Sequence, residues 1–349
     1  MFKVIVCSGG TGGHMFPACA LLEAIKQSGH HTHMITDTRG NTFCDSIEDK
    51  TVVNTVRISI KTIPHAAIGF CRIVLKFFKL WKSDHPDIII GFGGLFTVAP
   101  IIVAKILGAK VVIYEQNSIV GKANRLLEKI SDLKLSTFKI DLSWKLIAPP
   151  VRKEFLSAKR VPYPCDGKIK IVVIGGSQGA LSFSQIVPNA LSLIDENQRK
   201  NIELVQQVSV GSISELQQKY QQIGVQAKLL NFVHNIAEEM ASAQLVICRS
   251  GASTLAELSA LGRPAILIPY PKAAENHQFH NAMYYKNKNA AWIVQENKNT
   301  EKELSEIIIS ILNNRELLKT AASNMINELI GNSTDTFVDF IEKLCLKQS

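Results

Sequence analysis

Residues 3–14 read KVIVCSGGTGGH, a short apolar run that leads directly into a turn with four glycines. Residues 170–180, KIVVIGGSQGA, repeat this arrangement in the second half of the chain. An apolar, β-branched run followed by glycines and a helix-forming stretch is typical of a buried parallel strand that enters a helix. The two openings predict an α/β protein with two Rossmann-like, doubly wound parallel-sheet domains that face each other across a cleft.

Strand-like apolar runs alternate with helix-like segments along the whole chain, as in parallel βαβ units. The predicted strands lie at 3–6, 33–36, 87–92 and 110–115 in the first half, and at 168–176, 202–207, 244–249 and 265–270 in the second. A proline-rich stretch without periodicity separates the two series and is typical of a linker. The predicted organisation is an N-terminal domain at 1–150, a linker at 151–166, a C-terminal domain at 167–332, and a final helix at about 333–349 that packs back on the first domain.

The composition is that of a globular chain of two domains, since 46% of the 349 residues are hydrophobic and 20% are charged. Seven cysteines without a CxxC pair argue against a disulfide framework or a zinc site, and they fit a reducing cytoplasm. The formal net charge of +9 predicts an anionic partner, while the lack of an RNA-binding signature argues against nucleic acid. We expect no signal peptide, and no transmembrane segment because glycines and a proline interrupt the longest uncharged stretch, 88–104.

Four glycine-containing turns each follow a predicted strand, at 9–13, 91–94, 175–179 and 249–254. Open α/β sheets bind ligands at the carboxyl ends of their strands, where glycines let a ligand approach and helix-start amides attract anions. The first turn lacks the spacing of a dinucleotide fingerprint, with Asp37 as a weak candidate for its ribose-binding acid, and no Walker-type motif occurs. The turns therefore predict loops that receive phosphates or sugars, and they disfavour a dinucleotide-dependent oxidoreductase.

Six segments together resemble the successive signatures of the MurG family of N-acetylglucosaminyltransferases. They are GGTGGHMFPACAL (9–21), GFGG (91–94), YEQNSIVGKANR (114–125), GGSQGA (175–180), CRSGASTLAEL (248–258) and ENHQFHNA (275–282). The resemblance implies the GT-B fold and an inverting transfer of GlcNAc from UDP-GlcNAc to the 4-hydroxyl of undecaprenyl-pyrophosphoryl-MurNAc-pentapeptide, which converts lipid I to lipid II in peptidoglycan synthesis. Two alternatives stay open: another GT-B enzyme acting on a UDP-sugar, such as a different glycosyltransferase or a UDP-GlcNAc epimerase, and a lipid carrier that only binds.

The same resemblance implies which residues hold each substrate. Donor contacts are implied for Thr11, Gly12, Gly13, Asn117, Arg152, Ser177, Gln178, Val233, Ala252, Thr254, Glu257, Gln278 and Asn281. Acceptor contacts are implied for Gly10, Thr11, Gly93 and Gly94. Within the donor set, Glu257 is expected on the ribose hydroxyls, and Gln278 with Asn281 on the hydroxyls of the sugar.

Two of these assignments have a second interpretation in the sequence itself. Thr254 and Glu257 are three residues apart, which is also the spacing of a helix capping box. Arg152 lies in APPVR (148–152), where the family usually has Gly-Asn-Pro-Val-Arg, and the extra proline makes this turn stiffer.

Two residues are candidates for the general base. His14 ends the first glycine turn, and an imidazole titrates near neutral pH and can take a proton from a sugar hydroxyl. Glu115 ends another predicted strand of the same sheet, where it is either the base or a residue that orients the site. The sequence contains no Asp-x-Asp pair, so we expect no metal cofactor and assign the leaving-group charge to helix amides and cationic side chains.

The segment 65–87 combines many apolar side chains with basic ones and has no acidic residue before Asp84. One interpretation is core packing with a solvated basic rim. The other is a helix in the membrane interface, with cations on anionic head groups. The predicted membrane residues are Ile68, Phe70, Leu75, Lys76, Phe77, Phe78, Lys79, Trp81 and Lys82. Together with the resemblance, this segment predicts a peripheral protein on the cytoplasmic face of the bacterial inner membrane, where other wall-synthesis or division proteins are candidate partners.

Overall fold

The computed structural model describes residues 1–54, 63–158, 163–175, 181–208, 213–231, 235–326 and 333–346, and for 63–68 it describes the backbone alone. The strands are β1 Lys3–Cys7, β2 His31–Asp37, β3 Lys50–Val53, β4 Ile88–Gly91, β5 Lys110–Glu115, β6 Leu133–Ser136, β7 Lys145–Leu146, β8 Ile169–Ile174, β9 Ile202–Gln207, β10 Gln226–Leu230, β11 Leu245–Cys248, β12 Ala265–Leu267 and β13 Ala291–Ile293. The helices are α1 Gly12–Gln27, α2 Ile63–Trp81, α3 Val98–Ile106, α4 Lys122–Leu127, α5 Lys153–Ala158, α6 Phe183–Ser192, α7 Glu196–Arg199, α8 Ile213–Gln222, α9 Ile236–Ala241, α10 Ala252–Leu261, α11 His277–Asn287, α12 Thr300–Asn313, α13 Glu316–Met325 and α14 Ser333–Leu346.

The chain divides into two compact units, each built around one parallel sheet. The first unit comprises Met1–Arg152 with Leu329–Ser349, and the second comprises Lys153–Glu328. The strand order is β3-β2-β1-β4-β5-β6-β7 in the first sheet and β10-β9-β8-β11-β12-β13 in the second. Both orders reverse direction beside the first strand of their unit, as in doubly wound folds, so the predicted α/β class with two parallel sheets is confirmed.

Alternate residues of β1 supply the two faces of the first sheet, because successive side chains of a strand point to opposite sides. Val4 and Val6 pack on one face with α1 and α14. Ile5 and Cys7 pack on the other face with α2 and α3. The first unit therefore has a three-layer arrangement in which both faces of the sheet are covered.

Helix α14 packs on the first unit, although it lies at the far end of the chain. Its Phe337 is fully buried, stacks on Phe92 and meets Tyr114 edge-on, with ring centroids 6.3 and 5.6 Å away. His30 Nε2 lies 2.9 Å from Glu342 Oε1 and links the same helix to the end of α1. The C-terminal helix thus supports the strand ends that carry the turns described below.

The segment predicted to be a linker, 151–166, contains the helix α5. Its Phe155 is fully buried, and the helix contacts α9 and α10 of the second unit. The boundary between the two compact units falls between Arg152 and Lys153. The boundary thus falls inside the predicted linker, and the linker residues from Lys153 onward belong to the second unit.

Helix α2 corrects part of the predicted membrane surface. Phe77 and Trp81 are buried against the sheet, 0% and 2% exposed, because their spacing of four places them on one face of the helix. Burial of two such rings is worth roughly 2–3 kcal/mol each. The other predicted residues with described side chains, Phe70, Leu75, Lys76, Phe78, Lys79 and Lys82, are exposed, and the side chain of Ile68 lies outside the description. Among the described residues, no helix is long and apolar enough to cross a bilayer.

Candidate active site

The turn after β1 is built to receive an anion. Gly10 has φ +89°, Thr11 is exposed and caps α1 with extended backbone, and the helix begins at Gly12. The first turn of α1 contains no acidic residue. Because the first amides of a helix have no partner within it and lie at the positive end of its dipole, this turn favours phosphate groups.

Asp37 holds this turn in place from the neighbouring strand. Its Oδ1 accepts hydrogen bonds from the backbone amides of Gly10 at 2.9 Å and Gly40 at 2.7 Å. Its Oδ2 pairs with Arg39 Nη2 at 3.2 Å, and the residue is 1% exposed. The weak suggestion from the sequence that Asp37 binds a ribose is therefore wrong, since both oxygens are used by the loop. A Cβ at Gly9 would lie 2.5 Å from Phe96 Cε1, so this glycine is required by packing.

The second predicted acceptor turn lies beside the first. Phe92, Gly93 and Gly94 follow β4, and both glycines have φ near +90°. A Cβ at Gly93 would lie 3.2 Å from His14 Cε1, and one at Gly94 would lie 4.0 Å from the Gly9 carbonyl oxygen. The structure thus brings together the predicted acceptor residues Gly10, Thr11, Gly93 and Gly94 at the point where the strand order reverses. This is where doubly wound sheets bind their ligands.

His14 is held in one tautomer by the backbone. Its Nδ1 lies 2.6 Å from the carbonyl oxygen of Phe92, which can only accept a hydrogen bond. When the imidazole is neutral, this contact places its ring proton on Nδ1. His14 is half-buried in the first turn of α1, and an imidazole there in that tautomer can take a proton from a hydroxyl at Nε2.

The Glu115 carboxylate is held by four hydrogen bonds, an arrangement that favours the orienting role among the two predicted for this residue. The residue is 2% exposed, and its Oε1 accepts from the amide and the side chain of Asn117 at 3.0 and 3.1 Å. Its Oε2 accepts from the Gly121 amide and from Asn124 Nδ2, both at 2.9 Å. The carboxylate thus links residues 117, 121 and 124 of the turn between β5 and α4. Asn117 is placed beside it, in the first unit.

In the second unit, α10 begins directly after the turn that follows β11. Gly251 is the N-cap residue, and it leaves Ala252 and Thr254 in the first helical turn, both partly exposed. The predicted capping box of Thr254 and Glu257 is therefore wrong, because neither residue stands at the cap. Glu257 is the sixth helical residue and is 7% exposed. Glu257 thus lies in the second turn of α10, and its predicted contact with the ribose stays a prediction.

The loop before α10 is tied to α11. Ser250 Oγ donates to the Gln278 carbonyl oxygen at 2.7 Å, and Gln278 Oε1 accepts from the Tyr270 amide at 2.9 Å. Asn281 is fully buried, and its Nδ2 donates to the Ser250 carbonyl oxygen at 3.3 Å. This hydrogen bond links α11 to the loop before α10, and the contact of Asn281 with the sugar stays a prediction.

Arg249 is the polar residue of this unit that the sequence analysis passed over. Its guanidinium pairs with Glu296 at 2.6 Å, donates to Ser182 Oγ at 3.0 Å, and lies over the rings of Phe183 and Tyr270. It sits directly after β11, where the ligand loops of such sheets begin. Its position in the segment CRSGAST (248–254) was the signal in the sequence that pointed to Arg249. Its partners Ser182 and Glu296 lie far from it along the chain.

The remaining predicted donor residues are placed as follows. Gly12 and Gly13 form the start of α1 in the first unit. Arg152 also belongs to the first unit, where its guanidinium lies 4.4 Å from the ring centroid of Phe16. Ser177, Gln178 and Val233 lie outside the described residues.

Both units match glycosyltransferase models. Residues 4–134 match the glycosyltransferase family 28 N-terminal domain, and residues 170–343 match the glycosyltransferase family 28 C-terminal domain. The protein is thus a two-domain glycosyltransferase of family 28. A UDP-N-acetylglucosamine–N-acetylmuramyl-(pentapeptide) pyrophosphoryl-undecaprenol N-acetylglucosamine transferase of Bartonella quintana is 36% identical to it over 87% of this chain and 84% of its own length. The enzyme with the same name from Sinorhizobium fredii is 34% identical over 92% of this chain and 90% of its own length. The chain belongs to the family of these transferases.

Solved structures agree on the fold. Acinetobacter baumannii MurG superposes with a TM-score of 0.81 over 98% of this chain and 99% of that chain, at 24% identity. The UDP-GlcNAc 2-epimerase of Neisseria meningitidis bound to UDP-GlcNAc superposes with a TM-score of 0.68 over 98% of this chain and 100% of that chain, at 13% identity. The predicted GT-B architecture is therefore confirmed, and it is shared by transferases and epimerases alike.

Proposed function

We propose that this protein transfers GlcNAc from UDP-GlcNAc to the 4-hydroxyl of undecaprenyl-pyrophosphoryl-MurNAc-pentapeptide, with inversion at the anomeric carbon. The observation that carries the proposal is His14, whose Nδ1 faces the Phe92 carbonyl oxygen at 2.6 Å beside two glycine turns. A neutral imidazole next to an anion-binding turn is what a lipid-linked diphosphate sugar requires of its acceptor site.

In the proposed step, the acceptor oxygen forms a bond to the anomeric carbon while the bond from that carbon to the UDP oxygen breaks. The hydroxyl proton passes to His14 Nε2, and the bonding electrons leave with UDP. The first-turn amides of α10 stabilise the developing negative charge on the diphosphate. Since the sequence has no Asp-x-Asp pair, the proposal assigns no step to a metal.

The experiment mixes purified protein with UDP-GlcNAc and a lipid-linked MurNAc-pentapeptide acceptor, and measures UDP and the disaccharide product. We expect UDP release only when the acceptor is present, in equal amount to the product. A UDP-GlcNAc epimerase would convert the donor without the acceptor, and a binding-only carrier would release no UDP. Either of these results would overturn the proposal.

Glu257 provides a test of the donor side. If it accepts hydrogen bonds from both ribose hydroxyls, Glu257→Ala loses charge-assisted bonds worth about 1.5–3 kcal/mol, which corresponds to roughly 10- to 100-fold weaker binding. Calorimetry with UDP-GlcNAc measures the dissociation constant directly. Glu215→Ala is the matched control, because this glutamate lies on α8 of the same unit and is 76% exposed. Equal affinity of Glu257→Ala and the wild type would remove the residue from the donor site.

We further propose that the exposed side of α2 attaches the protein peripherally to the cytoplasmic face of the inner membrane. Phe70, Phe78, Leu75 and Leu80 are 39–60% exposed on this helix. Between 70 and 82 the charged residues are all basic, namely Arg72, Lys76, Lys79 and Lys82. Exposed apolar side chains among cations fit an anionic lipid surface, with the cations on the head groups. Wall-synthesis or division proteins at that membrane are the partners that this location suggests.

Charge reversal on α2 tests the membrane proposal. We expect Lys76→Glu with Lys79→Glu to lower binding to phosphatidylglycerol-rich vesicles by at least about tenfold, because each juxtamembrane cation contributes roughly 1 kcal/mol. Sedimentation with vesicles at low salt measures the bound fraction. The control reverses Lys200 and Lys302 in the second unit, whose side chains are 61% and 75% exposed. If the wild-type protein does not sediment with these vesicles, α2 is not a membrane surface.

A further inference from the structure

Gln116 follows β5 directly and is buried, only 3% exposed. Its carboxamide lies within hydrogen-bond distance of His14 Nδ1, although 102 positions separate the two residues along the chain. As oriented, the amide nitrogen Nε2 faces the imidazole, and Oε1 is buried without a partner among the described residues. A buried carboxamide at the ring of the candidate base needs a physical explanation.

The polarity of the contact follows from the Phe92 carbonyl group. At 2.6 Å, that oxygen requires a proton on Nδ1, since two lone pairs at this distance would repel each other. A protonated Nδ1 does not accept from an amide N–H group. Rotation of the carboxamide by half a turn exchanges its oxygen and nitrogen, which occupy nearly the same space. The exchange brings Oε1 to the Nδ1 proton and moves Nε2 to the buried position that Oε1 occupied.

We propose that Gln116 is a positioning residue for His14, which acts by accepting, together with the Phe92 carbonyl oxygen, a hydrogen bond from Nδ1–H. The inference rests on the proposed function, in which His14 is the base. Two acceptors on Nδ1 keep the proton off Nε2, hold the plane of the ring, and stabilise the imidazolium as it forms. Both acceptors are uncharged, so they orient the imidazole without the strong preference for its protonated form that a carboxylate would impose.

The charged groups on the neighbouring turns already have partners of their own. Asp37 pairs with Arg39 and holds the first turn, and Glu115 is held by four donors of the turn between β5 and α4. The carboxamide of Gln116 is therefore the side chain through which this part of the first unit contacts His14 Nδ1. A substitution at 116 is expected to alter the histidine without removing these two carboxylates.

Two variants of Gln116 test the contact through different quantities, kcat for one and the pH profile for the other. Gln116→Met keeps the length of the side chain but accepts no comparable hydrogen bond. We expect about a tenfold lower kcat with the KM for UDP-GlcNAc within twofold, a smaller loss than the 100-fold or more expected when the base itself is removed. Gln116→Glu places a carboxylate at Nδ1, and because an opposite charge favours the imidazolium, the acid limb of the kcat/KM profile should move to higher pH by about one unit. Gln222→Met, at an exposed position of α8, is the control for stability and activity.

A spectroscopic measurement tests the contact apart from turnover. In protein labelled with 15N-histidine, assigned by comparison with His14→Gln, we expect the wild type to show the Nδ1–H tautomer and Gln116→Met to show a mixture of tautomers. An unchanged tautomer in Gln116→Met together with an unshifted acid limb in Gln116→Glu would overturn the proposal. If the wild type catalyses no transfer, the proposed function fails, while the tautomer measurement still decides whether Gln116 positions His14.

Discussion

Replacement of His14 by alanine is expected to lower kcat by at least about 100-fold, which is the usual minimum contribution of a general base. The KM for UDP-GlcNAc should change by less than threefold, because the imidazole lies on the first unit and acts on the acceptor hydroxyl. The loss should not reflect unfolding, since His14 is only half-buried at the start of α1. Acceptor-dependent UDP release at saturating substrates measures kcat, and the urea midpoint measures stability.

The matched control for this experiment is His31→Ala. His31 is an exposed histidine at the start of β2 in the same unit. We expect its replacement to leave kcat within threefold of the wild type. A His14→Ala protein with kcat within threefold of the wild type would remove the residue from the mechanism, and with it the basis for the role of Gln116.

Replacement of Glu115 separates an organising carboxylate from a catalytic one. Glu115→Ala removes the acceptor of four donors of Asn117, Gly121 and Asn124 in a partly buried turn, and Asn124 Nδ2 keeps only the Tyr114 carbonyl oxygen. An unsatisfied buried group costs about 1–3 kcal/mol, so we expect the free energy of unfolding of the first unit to fall by roughly 3 kcal/mol. Glu115→Gln should lower the free energy of unfolding by about 2 kcal/mol, because the new NH2 group takes the place of a carboxylate oxygen and faces N–H donors of the turn. The acid limb of the pH profile should stay where it is in the wild type.

The measurement uses tryptophan fluorescence during unfolding in urea. The chain has three tryptophans, and in a Trp292→Phe background the remaining two, Trp81 and Trp144, both report on the first unit. Glu128→Gln is the control, since this glutamate is a partly buried acceptor for Trp144 in the same unit. A different result would make Glu115 the base and give His14 another role. In that case Glu115→Gln would lower kcat strongly at unchanged stability, and the pH profile of the residual activity would lack the acid limb.

Most of the strands that the sequence predicted have continuous apolar runs. All eight are present among the described residues, and β1, β5 and β8 are almost entirely buried, as central parallel strands are. The five strands that were not predicted are short or lie toward the edges of the sheets. β7 has two residues, both exposed, and β10 is only partly buried. Such strands depend on a neighbour for their hydrogen bonds, and their own residues carry little signal.

The sequence indicated some of the site residues and not others, for the same reason. It singled out His14 because a histidine at the end of a glycine turn is a local feature of the chain. It did not single out Gln116 or Asp37 for the roles they have, because each acts on a turn far away along the chain. On α2 it grouped Phe77 with Phe78, although the first is fully buried and the second is 39% exposed. Which helix face meets the sheet is decided by packing, and composition does not report it.

By itself, the sequence determined the strand–turn–helix units, the glycine turns and the family to which the chain belongs. These depend on backbone conformation and on short runs of neighbouring residues, which are written directly in the order of amino acids. Only the tertiary structure decided the contact of His14 Nδ1 with the Phe92 carbonyl oxygen, the four hydrogen bonds of Glu115 and the contact of Gln116 with the imidazole. Those properties depend on hydrogen bonds between strands that are adjacent in the sheet but distant in the chain, and a linear pattern contains no distances between them.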